Sequence, residues 1–479
     1  MSEQTEVVFT IDTELTQAYL PKLADFLYSE YLLPRRDHFM NVQRMESNNE
    51  HFVTFTFFDA KQKWHVNGEI KVGIPIQIRL TPQEKEVPAK VLNGLKEEIF
   101  VGLQFFEDRV RRATLYFAWS EGKEVVPEKS PLKRTRMLEK LLFENVIFLF
   151  IIFLVASIVL FLLLEPIFGV YVPIVLVAVQ FVLILLGVEL IARSGDWKVT
   201  AKNPNIHLLE YQMSPEELQK IKQTFNRDLL LKMKFEIYQQ TLAVGKAVNC
   251  ETAYEVFRKY GLECTPENMS TKTVNVYKLV KETVEKFNLP IPKIVVSNTV
   301  VPNAAATGIS PKRGVIILTT GLLVQLNDDE IRMVLGHELS HLSGRDPLFL
   351  YSLVSTEYLL RFYVLWPIVA FFGFLYIIFA LGLIYFVAKF FEAKCDLVSA
   401  MKLGQPKILA QALKKIGYRR LILERHKSVR FQDWIGWNPH PPIYFRIARL
   451  EKLEIPVKVR YPLLQSAKDC LKGFFATIT

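Results

Sequence analysis

The 479-residue sequence predicts a multi-pass α-helical membrane protein, with a mainly α domain carrying a small β-sheet and an N-terminal soluble α+β domain. Three observations lead there. Uncharged or nearly uncharged apolar runs recur at residues 146–164, 167–188 and 348–388. Half of the residues are hydrophobic and mean hydropathy is +0.18, which leans away from an ordinary soluble chain. Residues 1–130 instead show strand alternation and helical spacing of ordinary soluble length.

Within residues 1–130, His51 to Phe58 and Trp64 to Leu80 are rich in β-formers and read as strands. Leu15 to Tyr31 and roughly Gln83 to Arg112 carry apolar residues at helical spacing, and Thr114 to Trp119 reads as a last strand. His38, His51 and His65 are isolated and fit structural roles. Residues 121–136 are polar and basic with two prolines, as a linker would be.

Val146 to Leu164 and Ile167 to Val188 are each long enough to cross about 30 Å of hydrocarbon as a helix. Glu165-Pro166 between them marks a turn, so residues 131–192 predict a basic linker followed by a transmembrane hairpin. Basic residues flank the hairpin (Lys133, Arg134, Arg136 and Lys140 before it, Arg193 and Lys198 after it), and its turn has none. The positive-inside rule then places the N-terminal domain and the segment after the hairpin in the cytoplasm. The net charge of +10 is spent largely beside apolar segments, which fits membrane flanks and argues against nucleic-acid binding. The opening residues lack a basic stretch leading into an apolar core, so no cleavable signal peptide is expected. Four scattered cysteines without a CxxC pair predict reduced or buried thiols.

Residues 193–347 form the first part of a soluble-looking domain, with helical spacing at 271–288 and short strands at Lys293 to Ser297 and Gly314 to Thr320, either of which can offer a sheet edge to an extended polypeptide. The block 348–388 has only Glu357 and Arg361 as charges, four apart as in an i,i+4 salt bridge, with a turn expected at Trp366-Pro367. It predicts a second transmembrane hairpin, and 389–479 the second part of the soluble-looking domain.

The chemistry concentrates in IRMVLGHELSHLSG, residues 331–344. Asn327 is a good N-cap with Glu330 three residues on, Ile331, Val334, Leu335 and Leu339 form an apolar stripe, and Gly344 supplies a stop. HELSH therefore sits inside a helix. His337 and His341, four apart, share one face and can hold one Zn²⁺. Glu338 points beside the metal, where it can take a proton from the attacking water and deliver it to the leaving amine. The blander reading is two surface histidines on an amphipathic helix. A third protein ligand is needed, and no histidine follows at the HExxHxxGxxH spacing. Glu357 is better placed to pair with Arg361, which leaves Glu392, with Asp396 on the same helical face able to orient a ligand. Since His341 and Glu392 must meet on one side of the membrane, the block between them crosses twice or re-enters. With the first hairpin this gives four spans.

The motifs HELSHLSGRD, EAKCD (as ExxxD), NAAATG at 303–308, TTGLL at 319–323 and HPPIYFRI at 440–447 together resemble the HtpX-like membrane metallopeptidases, gluzincins related to the CAAX prenyl-protein endopeptidases. The resemblance covers about residues 140–460. It implies a zincin-like catalytic domain in which His337, His341 and Glu392 bind one zinc ion and Glu338 is the general base. It further implies that Asn303 holds the substrate near the scissile carbonyl, that His440 stabilises the oxyanion, and that Asp396 and Arg446 are structural partners beside the zinc. Taken alone, Asn303 reads as a turn residue and His440 as part of a proline-rich loop. The N-terminal 130 residues lie outside the family pattern, and Asn303-Ala304-Ala305 departs from its frequent NAF or NAY.

The expected function is thus a zinc-dependent endopeptidase acting on protein or peptide substrates, misfolded membrane proteins among them, within a lipid bilayer. A CAAX-type processing peptidase, a non-catalytic membrane scaffold and a transporter are the alternatives. Few spans argue against the first and last of these, and the intact HELSH against the scaffold. Self-association into a homo-oligomer is compatible with this reading.

Overall fold

The computed structural model describes residues 6–478 apart from 49, 60–63, 85–86, 123–124, 127–145, 225–226 and 309. Lys133, Arg134, Arg136, Lys140 and most of the expected linker fall outside the described residues. The chain divides into two compact units, one of residues 1–117 and 207–272, the other of 118–206 and 273–479. Residues 207–272 thus fold with the N-terminal segment, although they lie in the stretch 193–347 read from sequence as the first part of a separate soluble-looking domain.

In the first unit, β1 (Val7–Ile11), β2 (Phe39–Ser47), β3 (Glu50–Asp59), β4 (Trp64–Val72) and β5 (Ile76–Pro82) form an antiparallel sheet in the order β1-β5-β4-β3-β2. The alternation that predicts β3 to β5 is visible as burial: Val53, Phe55, Val66, Ile70, Ile78 and Leu80 point into the core, while the intervening residues face outward. The core is closed by helical turns spanning 17–32 and by a helix at Ala89–Arg112, which bury Leu23, Leu27, Leu95, Ile99 and Leu103. β1 and β2 lie at the two sheet edges, where weak alternation hides them in sequence.

This unit buries a polar cluster. Arg111 donates from Nε and Nη2 to the two carboxylate oxygens of Glu14, each at 2.9 Å, and Thr13 Oγ1 donates to Glu107 Oε1 at 2.7 Å. Burial first, and the charge of Glu14 second, push the Glu107 carboxyl up to about 7 and that of Glu210 up to about 8, with Arg111 opposing at both and Lys272 at Glu210. Both exceed the ordinary 4.5, so the folded chain holds protons that the unfolded chain has released. Their stabilising share is complete below the ordinary value and is lost as pH rises through about 7 to 8. Thermal unfolding of this unit should therefore move to lower temperature between mildly acidic and mildly alkaline buffer. The Glu107→Gln, Glu210→Gln double variant should flatten that slope, and an unchanged slope in the variant would refute the assignment.

The remaining strands are β6 (Thr114–Ser120), β7 (Trp197–Val199), β8 (Asn205–Gln212), β9 (Met269–Asn275), β10 (Lys293–Ser297), β11 (Ala304–Thr307) and β12 (Val315–Thr319). They build a three-stranded sheet β6-β8-β9 and a four-stranded sheet β11-β12-β10-β7. In the second, β10 and β12 run parallel and the other pairs antiparallel. The helical spacing read over 271–288 is strand at its start: β9 runs to Asn275, and the helix begins at Val276, because Asn275 Oδ1 accepts from Lys278 N and caps it there.

The apolar runs are helical. Val146–Phe168 carries Pro166 inside the helix, so the turn falls at Gly169–Tyr171 rather than at the expected Glu165-Pro166. Gly169, at φ +51°, makes that break, after which Val172–Ser194 follows and packs on its predecessor. The second block is a helix Asp346–Tyr363, an 84° bend into the short helix Trp366–Phe372, and a long helix Phe374–Leu403. Among the described residues, two helical stretches, Val155–Val188 and Phe374–Leu403, are long and apolar enough to cross a membrane, or three if the bent pair is one span. Arg361 Nε donates to Glu357 Oε1 at 3.0 Å, as the spacing predicts, and Tyr376 Oη donates to the same oxygen at 3.1 Å, tying this helix to the next. All four cysteines are free.

Candidate metal centre and active site

The helix Asp328–Gly344 starts where the sequence says. Asn327 Oδ1 accepts from Glu330 N and Glu330 Oε2 accepts from Asn327 N, both at 2.9 Å, which closes a capping box. Its end differs by one residue. Gly344 is the last helical residue, and Arg345 takes the left-handed position at φ +53°. Gly344 is needed instead for close approach, since a Cβ there would lie 2.5 Å from both Asp346 Oδ1 and Lys394 Nζ.

His337 and His341 lie on one face, ring centroids 5.0 Å apart, and turn their Nε2 atoms to opposite oxygens of Glu392, at 3.4 Å to Oε2 and 3.3 Å to Oε1. These ligand-type atoms all lie within 4.8 Å of one another. Each ring is held from behind. His337 Nδ1 lies 2.8 Å from Asp396 Oδ1, although bent from good hydrogen-bond geometry, and Asp396 takes two hydrogen bonds of 2.8 Å from Arg446. His341 Nδ1 lies 3.1 Å from Asp346 Oδ2, and Asp346 is buried under Lys394 Nζ and the Cys395 thiol. Fixing each Nδ1 on a carboxylate leaves Nε2 as the lone-pair donor, which is the arrangement a metal-binding imidazole needs. The donor set His337, His341 and Glu392, with converging atoms and oriented rings, therefore fits a zinc ion.

Burial opposes the charge on His337, but the Asp396 and Glu392 carboxylates outweigh it and raise its pKa. At His341 the same opposition is overcome chiefly by Glu392. Burial raises the carboxyl of Glu338 as well, in the direction a general base working near neutrality requires. Arg446 is kept firmly cationic, burial being outweighed by Asp396.

Glu338 Oε2 accepts from the backbone N of Ala306, at 2.8 Å, in β11. The strand positions read from sequence as a docking edge, 293–297 and 314–320, are interior: β10 and β12 each have neighbours on both sides. The edge beside Glu338 is β11. Its entry is pinned by the TTG motif. Thr319 Oγ1 accepts from Asn303 N at 2.9 Å, Thr320 Oγ1 donates to Thr299 O at 3.0 Å, and Gly321 N donates to Thr299 O at 2.8 Å. A Cβ on Gly321 would sit 2.1 Å from the carbonyl oxygen of Val300, a backbone atom with no rotamer to yield. Gly321→Ala should therefore lower the thermal midpoint and displace β11. The check is unfolding alongside turnover; a variant equal to the parent in both would show that the loop is not held this way.

Asn303 stands exposed at the entrance to β11. His440 lies at the rim, its side chain 52 % exposed and Nδ1 2.7 Å from Glu392 Oε2. The eight residues marked by sequence and resemblance thus divide into five that share the metal-side cluster (His337, His341, Glu392, Asp396 and Arg446), Glu338 on the same helix as the histidines and bonded to the edge strand, His440 at the rim and Asn303 at the strand's entrance. Sequence reasoning missed Asp346, Lys394 and the Ala306 amide. Asp346 stood in HELSHLSGRD and Lys394 in EAKCD, but nothing in their spacing showed that they pair with each other.

Two histidines on one helix and a carboxylate from a second helix thus form a cluster that could hold a metal ion, with Glu338 bonded to the sheet edge beside it. Residues 270–454 match Peptidase family M48. Over 93 residues the chain is 39 % identical to a protein named Protease HtpX homolog of Thermodesulfovibrio yellowstonii, covering 19 % of this chain and 32 % of that one. It is 45 % identical over 73 residues to one of the same name from Thermococcus sibiricus, covering 15 % and 25 %, and 38 % identical over 93 residues to one from Burkholderia cenocepacia, covering 19 % and 32 %. The chain spans about a third or less of the length of these relatives. The resemblance to HtpX-like metallopeptidases is borne out, over a region narrower than the expected 140–460.

Proposed function

We propose that this chain is a membrane-embedded, zinc-dependent endopeptidase that hydrolyses peptide bonds of misfolded membrane proteins from the cytoplasmic side. The observation that carries the reading is the convergence of His337 and His341 Nε2 on the Glu392 carboxylate, with Glu338 held against β11. On this reading the chain crosses four times, as helical hairpins over 146–194 and 346–388, so that the helices that carry His341 and Glu392 emerge on one side.

His337, His341 and Glu392 would hold zinc, which supplies Lewis acidity toward the scissile carbonyl and makes the attacking water more acidic. Glu338 takes the proton of that water and hands it to the leaving nitrogen. An extended substrate pairs along the free edge of β11, whose Ala306 amide is bonded to Glu338. Asn303 at the strand entrance holds the substrate backbone near the scissile carbonyl. His440, from the rim, donates toward the oxyanion. Asp396 and Asp346 keep the two imidazoles in the required orientation.

The test is cleavage of an unfolded protein such as casein by the detergent-purified chain. Chelation should abolish it and added zinc restore it. Cleavage that persists after chelation would assign the activity to something other than this centre.

A further inference from the structure

Two helices near the end of the chain, Lys427–Ile435 and Pro462–Ile478, pack on the helix Phe374–Leu403. Their inner faces meet it at Phe386. The Phe474 ring lies 5.5 Å from that of Phe386, the Trp434 ring 6.3 Å, and Trp434, Ala393 and Cys470 are buried together there. Phe386 belongs to the apolar run. Lys389, one turn on, is the first charged residue, and its Nζ is taken by the carbonyl oxygens of Gly436 and Asn438, at 3.1 and 2.5 Å. The rings that touch Phe386 therefore sit at the depth where the apolar run ends.

Both helices also carry an outer apolar face. On Pro462–Ile478, Leu464, Leu471, Phe475 and Ile478 recur at helical spacing, with Phe475 60 % and Ile478 56 % exposed. On Lys427–Ile435, Phe431 and Ile435 are four apart, and Ile435 is 51 % exposed. Phe431 also stacks on the inner-face ring of Phe474, at 6.3 Å, which ties the two helices side by side. Lys427, Lys468 and Lys472 stand exposed around these faces. An apolar face rimmed by lysines, continuous with an apolar span, has the make-up of a helix lying in the headgroup boundary. A twofold contact with a second copy would instead bring these lysines toward each other.

We infer that these two helices form an interfacial docking surface for the bilayer. Phe431, Ile435, Leu471, Phe475 and Ile478 enter the boundary of the hydrocarbon, and Lys427, Lys468 and Lys472 meet anionic headgroups. This rests on the proposed crossing of the membrane by the helix that starts at Phe374. The surface continues directly into the site. Ile435 is followed by Gly436 to Asn438, and Asn438 Oδ1 accepts from His440 N, whose ring reaches Glu392. Lipid contact thereby steadies the loop that presents His440.

The experiment places nitroxide labels on the full chain in nanodiscs of phosphatidylcholine with an anionic phospholipid. Cys250→Ser removes the one cysteine that is not buried. Labels at Ile435→Cys and Phe475→Cys are compared with Leu383→Cys, in the apolar run, and Glu454→Cys, on the soluble side. Collision with oxygen and with an aqueous nickel chelate is read at each. Labels at 435 and 475 should be open to oxygen and shielded from nickel, shallower than 383, with 454 open to nickel. Nickel access at 435 and 475 while 383 stays shielded would overturn the inference alone. Nickel access at 383 would overturn the membrane-span reading and this inference with it. Shielding of 435 and 475 from both reagents, with spin–spin broadening between chains, would assign the patch to a second copy and overturn it too.

Discussion

Glu338→Gln is expected to lower peptide hydrolysis by about 10²- to 10⁴-fold, the usual share of a positioned general base. The amide has nearly the same shape and still accepts from the Ala306 amide through its oxygen, so β11 should keep its place. His337, His341 and Glu392 are untouched, and metal content should match the parent. What is lost is the ability to take a proton, because a carboxamide has no basic oxygen near neutral pH. Turnover measured with metal content on the same preparation separates the two roles. Near-parental turnover with full metal would remove Glu338 from the reaction. Loss of metal together with turnover would make it a structural residue.

The second large effect is expected at Arg446. Its guanidinium is buried and makes both hydrogen bonds to Asp396, which in turn faces His337 Nδ1. Arg446→Met leaves the Asp396 carboxylate buried without its cation, a loss of about 3–5 kcal/mol in stability. The His337 ring also loses its fixed backing, and zinc affinity should fall by about 10- to 100-fold. Arg446→Lys keeps the charge but not the two-pronged geometry, and should recover only part of both losses. Chemical denaturation and competition with a chelating dye read the two effects separately. A stable Arg446→Met chain with parental zinc affinity would show that the pair is dispensable.

The most legible part of this chain was the metal helix, because its signals are local. The capping box at Asn327 and Glu330, the apolar stripe and the i,i+4 histidines all lie within seventeen residues. Glu392 could be reached by elimination, since the only rival, Glu357, had Arg361 four residues away. Of the partners around the imidazoles, Asp396 was legible from the helical face it shares with Glu392 and Arg446 from the family motif, whereas Asp346 and Lys394 were not found. Their pairing joins residues 48 positions apart and leaves no periodic trace. The substrate edge was misplaced for a related reason. Lys293 to Ser297 and Gly314 to Thr320 look like strands because they are β-branched and interior, whereas β11 is an alanine strand with little intrinsic β preference. The grouping of 207–272 with the N-terminal segment was likewise hidden, since sequence order favours neighbours and tertiary contacts do not. The turn at Gly169 was missed because Pro166 looked the stronger break, although proline near a helix end can be accommodated.

The central claim is that His337, His341 and Glu392 form one zinc site. Its most direct test is the metal content of the purified chain, by mass spectrometry, beside that of Glu392→Gln. The account predicts about one zinc per chain in the parent and a clear loss in the variant, with both chains folded. A parent that stays free of zinc after reloading, or a variant that retains the parent's full complement, would contradict it.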